Sequence, residues 1–378
     1  MTICRLFLLI VGIPFCCTTI FVDTVRIFAA EPFRFTERDN KQLVLTEGNV
    51  PVLTYQFDAV EHNQVPEKEP RRLAGCYVHP LHGLYGEVLT DNAPLDHYHH
   101  HGVFWTWPHV GVHEPDGTIK QYDLWTSNTA LKQYFVRWIS KKITNNTATF
   151  EVENGWFVGK PENGNKIMSE QVKIVVHHIQ NQDSSTTETI KNRVIDFEFL
   201  WRPVDKPVSL RGSEGKSYGG LSVRFKPFIA ENERNNKNAL AKHNDVNIIT
   251  VPSGVAEKDL PETLLEWADY TSKFDGRDMF SGAAVFIPKT HPDFPPTWLT
   301  RYYGPLCVGW PGVKDRLFQP DEEIRLQYRI WIHDGAVTVA QLENAYQLYN
   351  AQIQKNTNSQ SHQKMKTFTR LRNRFNFR

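Results

Sequence analysis

Two stretches that alternate polar and apolar residues decide the fold, QVKIV at residues 171–175 and RVIDFEF at residues 193–199. Apolar side chains recur at every second position of each stretch, which is the period of a strand with one buried face. The polar residues 181–184 lie between the two stretches and predict a turn. The sequence therefore predicts neighbouring antiparallel strands in this part of the chain.

Short apolar runs broken by turn residues extend the same pattern in both directions. They lie at residues 43–57, 76–81, 134–139, 148–156, 221–229, 246–251, 264–272, 282–287 and 323–331. Residues 339–349 have helical spacing, and Thr338 and Gln341 form a capping box before them. Because strands do not alternate with long helices, a doubly wound α/β fold is excluded. The sequence predicts an all-β, antiparallel domain with one C-terminal helix.

The composition is that of a globular protein, since 40% of the 378 residues are hydrophobic and 12% are aromatic. The net charge of +1 conceals a basic segment, residues 355–378, which has seven Lys and Arg and no acidic residue. Residues 31–354 contain 34 basic and 41 acidic residues, a balance that argues against a nucleic-acid-binding core. We expect one domain over residues 31–354 and a basic, disordered tail over residues 355–378, with a surface amphipathic helix as the alternative for the tail.

Residues 1–30 have the order of an export signal. A basic residue precedes an apolar stretch at residues 6–15, and two small residues precede residue 31. We predict that this segment is cleaved and that the protein is periplasmic or secreted. The alternative is that the segment is not cleaved and anchors the protein to a membrane. Cys76 and Cys307 then remain, and the sequence fits either one disulfide or two buried thiols.

Histidines are concentrated in one region, because eight of the 15 lie between residues 79 and 113. The centre is DHYHHHG at residues 96–102. If this segment is extended, His97, His99 and His101 project from one face and could bind a divalent metal such as Zn, Cu, Fe or Ni. The alternatives are a histidine acid/base near neutral pH and a purely structural loop.

Other candidate site residues lie in separate blocks. Trp105 and Trp107 follow the histidines, and aromatic rings beside polar groups suit sugars. Glu214 lies in a glycine-rich segment that matches no nucleotide-binding motif. Arg301 lies among aromatic residues and could bind a carboxylate. His333 ends the last strand, either as a site residue or as a turn residue.

Taken in order, these blocks resemble a family of exported bacterial proteins labelled methane oxygenase PmoA, or PmoA-like. The resemblance covers roughly residues 51–349, and its anchors are residues 96–101, 122–125, 219–224, 298–304 and 328–335. Relatives commonly have Asp-His-Pro-His-His-Arg in the first anchor. This chain has Tyr98 and His101 in place of the Pro and Arg, so His97, His99 and His100 are the matched positions.

The resemblance implies a large β-sandwich similar to galactose mutarotase-like proteins and a role in carbohydrate metabolism. It does not imply methane oxidation, because the methane monooxygenase subunit of that name is an integral membrane protein. After residue 30 this sequence has no segment of the roughly 20 apolar residues that a spanning helix needs.

We therefore expect an exported carbohydrate-active protein that performs acid/base chemistry on a sugar or glycan, as an epimerase, lyase or hydrolase. Its expected catalytic residues are His97, His99, His100 and Glu214, and its expected substrate-binding residues are Trp105, Trp107, Arg301 and His333. A non-catalytic sugar-binding protein is one alternative. A metal-dependent oxidoreductase that uses the histidine cluster is another.

Overall fold

Strands dominate the computed structural model, which describes residues 32–126, 129–162, 164–183, 189–229, 246–274 and 277–375. The predicted export signal at residues 1–30 lies outside these residues. The first twelve strands are β1 (Phe33–Arg38), β2 (Gln42–Glu47), β3 (Val50–Gln56), β4 (Val60–Glu61), β5 (Leu73–Ala74), β6 (Tyr77–Leu81), β7 (Val103–Thr106), β8 (His109–His113), β9 (Ile119–Tyr122), β10 (Leu131–Ile143), β11 (Thr147–Val158) and β12 (Asn165–His177). A short 3₁₀ turn covers Pro70–Arg72.

The remaining elements complete the described part of the chain. They are β13 (Gln180–Asp183), β14 (Thr189–Pro203), β15 (Val208–Arg211), β16 (Gly220–Arg224), β17 (Ile248–Val251), β18 (Gly254–Val255), β19 (Leu260–Leu264), β20 (Trp267–Ser272), β21 (Ser281–Phe286), β22 (Thr297–Thr300), β23 (Pro305–Gly309), β24 (Arg316–Phe318), β25 (Ile324–Asp334) and the helix α1 (Val339–Phe375). Among the described residues, no helix is both long and apolar enough to cross a membrane.

Two large antiparallel sheets form the sandwich. The first has the strand order β1-β2-β3-β6-β7-β16-β23-β22-β19, and the second has the order β10-β11-β12-β14-β25-β21-β20-β17-β18, with β13 added on β14. Smaller sheets are formed by β24-β15-β8-β9 and by β4-β5. Rings from the two large sheets meet between them, for example Trp105 and Phe199 at 4.9 Å. The all-β, antiparallel prediction with one C-terminal helix is confirmed.

The two stretches that decide the fold lie side by side in the second sheet. Within the β12–β14 pair, Ile174 is opposite Phe197 and Val172 is opposite Phe199, and all four side chains are buried. The turn predicted at residues 181–184 is not formed as expected. Residues 180–183 are strand β13, which pairs with β14, and residue 184 lies outside the described residues.

A buried carboxylate links the two sheets. The side chain of Glu170 on β12 is fully buried, and it accepts hydrogen bonds from the indole nitrogens of Trp105, Trp156 and Trp201 at 2.8–2.9 Å. Two amides, those of Asn154 and Gln133, donate to the same carboxylate. Trp105 comes from the first sheet and the other two tryptophans from the second. The indole of Trp105 is therefore part of the core, which corrects its prediction as a substrate-binding residue.

The helix α1 packs on the outer face of the second sheet. The predicted capping box is present, because the Thr338 backbone N–H donates to Gln341 Oε1 at 2.8 Å and the Gln341 N–H donates to Thr338 Oγ1 at 3.3 Å. The buried face of the helix contacts aromatic side chains of the sheet; it consists of Leu342, Ala345, Tyr346 and Tyr349. The helix continues to Phe375, so residues 355–375 are helical, which is the alternative that the sequence left open for the tail. They contain no Gly or Pro that would end a helix.

Candidate functional site

A pocket of about 240 Å³ lies on the outer face of the first sheet. Part of its floor is a row of residues at matching positions of adjacent strands, in which Ser222 pairs with both Phe104 and Cys307, and Cys307 pairs with Leu299. Side chains alternate along a strand, so this outward row is flanked by core residues on either side. The pocket is lined by His97, His99, His100, Trp125, Thr126, Lys216, Tyr218, Leu299, Arg301, Tyr303, Pro305 and Cys307.

The histidine segment that covers this floor is turned rather than extended. The His97 N–H donates to the carbonyl of Pro94, and the His100 N–H donates to the carbonyl of His97. The turns bring three imidazoles together, with His100 4.7 Å from His97 and 4.7 Å from His99 between ring centroids. The expectation of an extended segment is wrong, but the predicted grouping of His97, His99 and His100 is present.

The metal-binding prediction for His97, His99 and His101 is also wrong. His101 points away from the other two, because its Nδ1 contacts Asn92 Oδ1 at 2.8 Å and its ring lies 5.2 Å from that of His62. In the part of the chain that the structure describes, no group of three or more His, Cys, Asp or Glu side chains is arranged to hold a metal ion. In an extended strand His97, His99 and His101 would project from one face. The turns instead place His101 apart from the other two.

Asp96 orients His97. Its Oδ2 lies 2.9 Å from His97 Nδ1, and Arg224 Nη2 donates to both carboxylate oxygens at 3.1–3.2 Å. Burial by itself raises the pKa of Asp96, but the hydrogen bond from His97 and the charge of Arg224 outweigh it and hold the pKa at about 2. An ionised carboxylate only accepts, so Nδ1 of His97 carries the proton and a neutral ring has its lone pair on Nε2.

Stacking fixes the His97 ring from both sides. It lies between Tyr303, at 5.2 Å and 7° between planes, and His100, at 4.7 Å and 10°. The guanidinium of Arg224 lies over the ring of Tyr303, 4.7 Å from its centroid. A base held in one orientation by a carboxylate and by two rings is preorganised for proton transfer.

His99 and His100 are neutral at neutral pH. Burial, with smaller contributions from nearby cationic and histidine side chains, lowers the pKa of His99 to about 4 and that of His100 well below its ordinary value. Their Nδ1 atoms are buried and have no hydrogen-bond partner within the described residues. A bound polar molecule would therefore meet the Nε2 atoms of these rings, which donate or accept according to the tautomer.

Two cationic side chains line the pocket. Arg301 Nη1 donates to Asp259 Oδ2 at 2.8 Å, and Asp259 Oδ1 accepts the Tyr302 N–H at 3.0 Å, so the aspartate fixes both the loop and the guanidinium. Lys216 is exposed, and no acidic side chain of the described residues pairs with it. None of the twelve lining residues is Asp or Glu.

An aromatic wall faces these charges. The rings of Trp125 and Tyr218 lie 4.4 Å apart at 34°, and Trp125 also packs on Phe104. Sequence reasoning did not select Trp125, Tyr218 or Tyr303 as site residues. Each of the three lies in or next to one of the anchors of the resemblance, at residues 122–125, 219–224 and 298–304. This location was the signal that could have identified them.

Three other predicted site residues do not reach the pocket. Trp107 is fully buried, and its indole donates to the Trp310 carbonyl at 2.6 Å. His333 is buried in the second sheet, 3.0 Å from Asp269 Oδ1. Glu214 is exposed, pairs with Arg211 and is not among the lining residues. These predictions are wrong because spacing does not reveal which face of a strand or turn meets the site.

The two cysteines among the described residues are free thiols. Cys76 and Cys307 are buried and unpaired, which settles the alternative that the sequence left open. Burial raises the pKa of Cys307 to about 12, so the thiol on the pocket floor stays protonated at neutral pH and is a poor nucleophile.

A larger pocket, of about 360 Å³, lies between the helix α1 and the second sheet. Its charged side chains are already matched with one another. Arg329 donates to both oxygens of Asp196 at 2.7–2.8 Å, and Lys173 donates to Glu198 at 2.9 Å. The smaller pocket, with its unpaired ring nitrogens and uncompensated lysine, is the better candidate for a functional site.

Comparison with known proteins gives one family match and distant structural likenesses. A model described as a family of unknown function (DUF6807) matches residues 42–347. No curated protein gives a significant match. The GH36 α-galactosidase AgaB from Geobacillus stearothermophilus is 10% identical, with a TM-score of 0.36 over 80% of this chain and 41% of that chain.

A variant of the α-galactosidase AgaA from the same organism, solved in complex with raffinose, is 10% identical, with a TM-score of 0.33 over 80% of this chain and 40% of that chain. The chain thus spans about two fifths of the length of either protein. Likenesses at this level say nothing about the activity of this chain.

Proposed function

The chain belongs to DUF6807, a family of unknown function, and we propose that it is an exported carbohydrate-active protein that transfers protons to and from a sugar bound beside His97, His99 and His100. The observation that carries the proposal is the Asp96–His97 pair. The carboxylate holds the imidazole in one tautomer and stabilises the imidazolium that forms when Nε2 accepts a proton.

A sugar fits the other walls of the pocket. Trp125 and Tyr218 offer ring faces for the apolar CH face of a sugar, while ring nitrogens, Lys216 and Arg301 offer hydrogen bonds to hydroxyl groups. The volume of about 240 Å³ lies below the range typical of drug-sized ligands and suits a single sugar ring.

The pocket favours proton abstraction from carbon, as in an epimerase or lyase, over hydrolysis. Most glycoside hydrolases use two carboxyl groups that flank the scissile bond. No Asp or Glu lines this pocket, and the two carboxylates that hold its His97 and Arg301 side chains, Asp96 and Asp259, are already engaged in these ion pairs. We therefore propose an epimerase or lyase.

Export and the relation to PmoA-like proteins are part of the proposal. Export rests on the sequence of residues 1–30. The relation is supported by the location of its anchors, since residues 96–101, 122–125 and 298–304 all contribute side chains to the pocket.

A direct test is exchange of sugar C–H hydrogens with solvent. The full chain is incubated in D₂O with a panel of sugars and oligosaccharides, and ¹H NMR follows the loss of C–H signals and the appearance of unsaturated products. We expect exchange or elimination with a sugar of the panel. The His97→Gln variant should lower its rate by about 100-fold or more, the usual contribution of a general base.

His113→Gln is the matched control, because His113 lies on β8, outside the pocket, and contacts Ser209. Unchanged exchange in His97→Gln would remove this residue as the base. Sugar binding without any exchange would favour a non-catalytic sugar-binding protein, in which Trp125→Ala should weaken the affinity.

A further inference from the structure

We infer that the sugar bound in this pocket carries a carboxylate, so that the substrate is a sugar acid of the uronate class. The inference rests on the proposed function and names the substrate class of the same site. It follows from three features of the pocket: its charge, its unpaired donors and the chemistry that its base can perform.

The charge of the pocket favours an anion. Arg224 is balanced by Asp96, and Arg301 shares Asp259, but Lys216 has no acidic partner among the described residues. The contact of Arg301 with Asp259 uses Nη1, and its side chain remains 26% exposed. A planar carboxylate bound by a guanidinium and an ammonium would complete this charge balance.

Unpaired ring nitrogens offer further donors. His99 and His100 line the pocket, and because their Nδ1 atoms are buried, their Nε2 atoms are the ring nitrogens that a ligand can reach. A neutral imidazole N–H can donate to a carboxylate oxygen without adding charge. The pocket therefore offers both neutral and charged donors, and it offers no acidic side chain that would repel a carboxylate.

A carboxylate also provides the acidity that the proposed base requires. His97 Nε2 takes the proton from the carbon next to the carboxylate, and the C–H electron pair moves into the carboxylate to give an enediolate dianion. Lys216 and Arg301 stabilise the added negative charge. Protonation of the same carbon by water at the opposite face, with release of the His97 proton to the resulting hydroxide, gives the epimer. Loss of the β-oxygen substituent as an alcohol, protonated by the imidazolium, gives an unsaturated sugar acid.

The test compares ligands that differ only in the carboxylate. Oligosaccharides of galacturonate and of glucuronate are prepared with their carboxyl-reduced forms, in which CH₂OH replaces COO⁻, and calorimetry measures binding to the full chain. At least one acid is expected to bind about tenfold or more tightly than its reduced form, and increasing salt should weaken the binding of the acid alone.

Two substitutions assign this preference to the pocket. Lys216→Gln and Arg301→Gln should each remove most of it, while Lys142→Gln and Arg325→Gln, at exposed positions on the second sheet, should leave it unchanged. Lys216→Gln is the decisive variant, because this lysine has no ion pair whose loss could disturb the fold.

The outcomes separate this inference from the proposed function. Equal binding of the acid and the reduced form would overturn the inference, and the proposed function would stand if His97→Gln still abolished exchange. A preference for the acid that survives both pocket substitutions would overturn the assignment to Lys216 and Arg301. Failure of every sugar to bind or to exchange would overturn both proposals.

Discussion

Glu170 shows how a single residue organises the core. Its Oε1 accepts from Trp105 and Asn154, and its Oε2 accepts from Trp156, Trp201 and Gln133, all at 2.8–3.0 Å. An ionised carboxylate suits these five donors because both of its oxygens accept and neither donates, and the three donors at Oε2 share its lone pairs. The two sheets are thus joined by polar contacts as well as by apolar packing.

Replacement of this carboxylate by an amide should destabilise the fold. In Glu170→Gln the NH₂ group faces at least two N–H donors whichever way the amide is oriented, so buried donors lose their acceptor. We expect a loss of about 2–3 kcal/mol in the free energy of unfolding, measured by urea denaturation. Glu198→Gln is the control, because Glu198 is 41% exposed and pairs with Lys173; it should cost less than about 1 kcal/mol. Equal stability of the two variants would contradict a central role for Glu170.

The site shows the same dependence on neighbours. His97 is an ordinary histidine in sequence, and its properties come from Asp96 on one side and the rings of Tyr303 and His100 on the others. The residues 96–97 are adjacent in the chain, so the pair was visible in the sequence. Tyr303 lies in the turn between β22 and β23, Arg224 ends β16, and no local pattern connects either residue to the histidines.

At the scale of elements, the helix α1 is held by one face. Leu342 and Tyr346 are fully buried against Trp267, Phe286 and Trp331 of the second sheet. The helix has only a modest apolar stripe of its own, so its stability depends on this docking surface.

Truncation of the docked face should be costly. Leu342→Ala removes fully buried carbon atoms and should lower the free energy of unfolding by about 2–5 kcal/mol. Leu348→Ala lies on the same helix but at a position that is 53% exposed, and it should cost less than about 0.5 kcal/mol. Thermal and urea denaturation measure both variants, and similar losses would show that the helix does not dock through Leu342.

Elements were predicted where the chain alternates regularly and missed where it turns. The alternation at residues 171–175 and 193–199 is a local property, so it specified strands that the structure contains. Residues 94–100 carry side chains compatible with either a strand or a turn. Their turns are held by backbone hydrogen bonds and by the ion pair of Asp96 with Arg224. Arg224 lies far away in the chain, so the local sequence does not reveal this ion pair.

At the scale of the whole molecule, buried histidines couple stability to pH. Burial lowers the pKa of His62, His99 and His291 to about 4 and that of His79 to about 3, while an unfolded chain has values near 6.5. Between these limits the unfolded chain binds more protons than the folded one, so protonation favours unfolding as the pH falls.

We therefore expect the free energy of unfolding to decrease between pH 6.5 and pH 4.5, by at least about 3 kcal/mol in total. Urea denaturation at half-unit steps of pH measures this slope. Asp96 adds little to the slope, because its carboxylate is ionised in the folded protein, with a pKa of about 2, and is also largely ionised in the unfolded chain above pH 4.5. A His62→Gln variant should reduce the slope, and a constant free energy over the window would contradict the burial of neutral histidines.

The sequence by itself determined that this chain is an antiparallel β protein with one capped C-terminal helix, because alternation, turn residues and capping boxes act over a few residues. It also selected His97, His99, His100 and Arg301, which line the pocket. Only the tertiary structure decided that Trp105, Trp107 and His333 are core residues and that His101 leaves the site. Which face of a strand is covered, and which loops meet above a sheet, depends on the packing of segments more than a hundred residues apart.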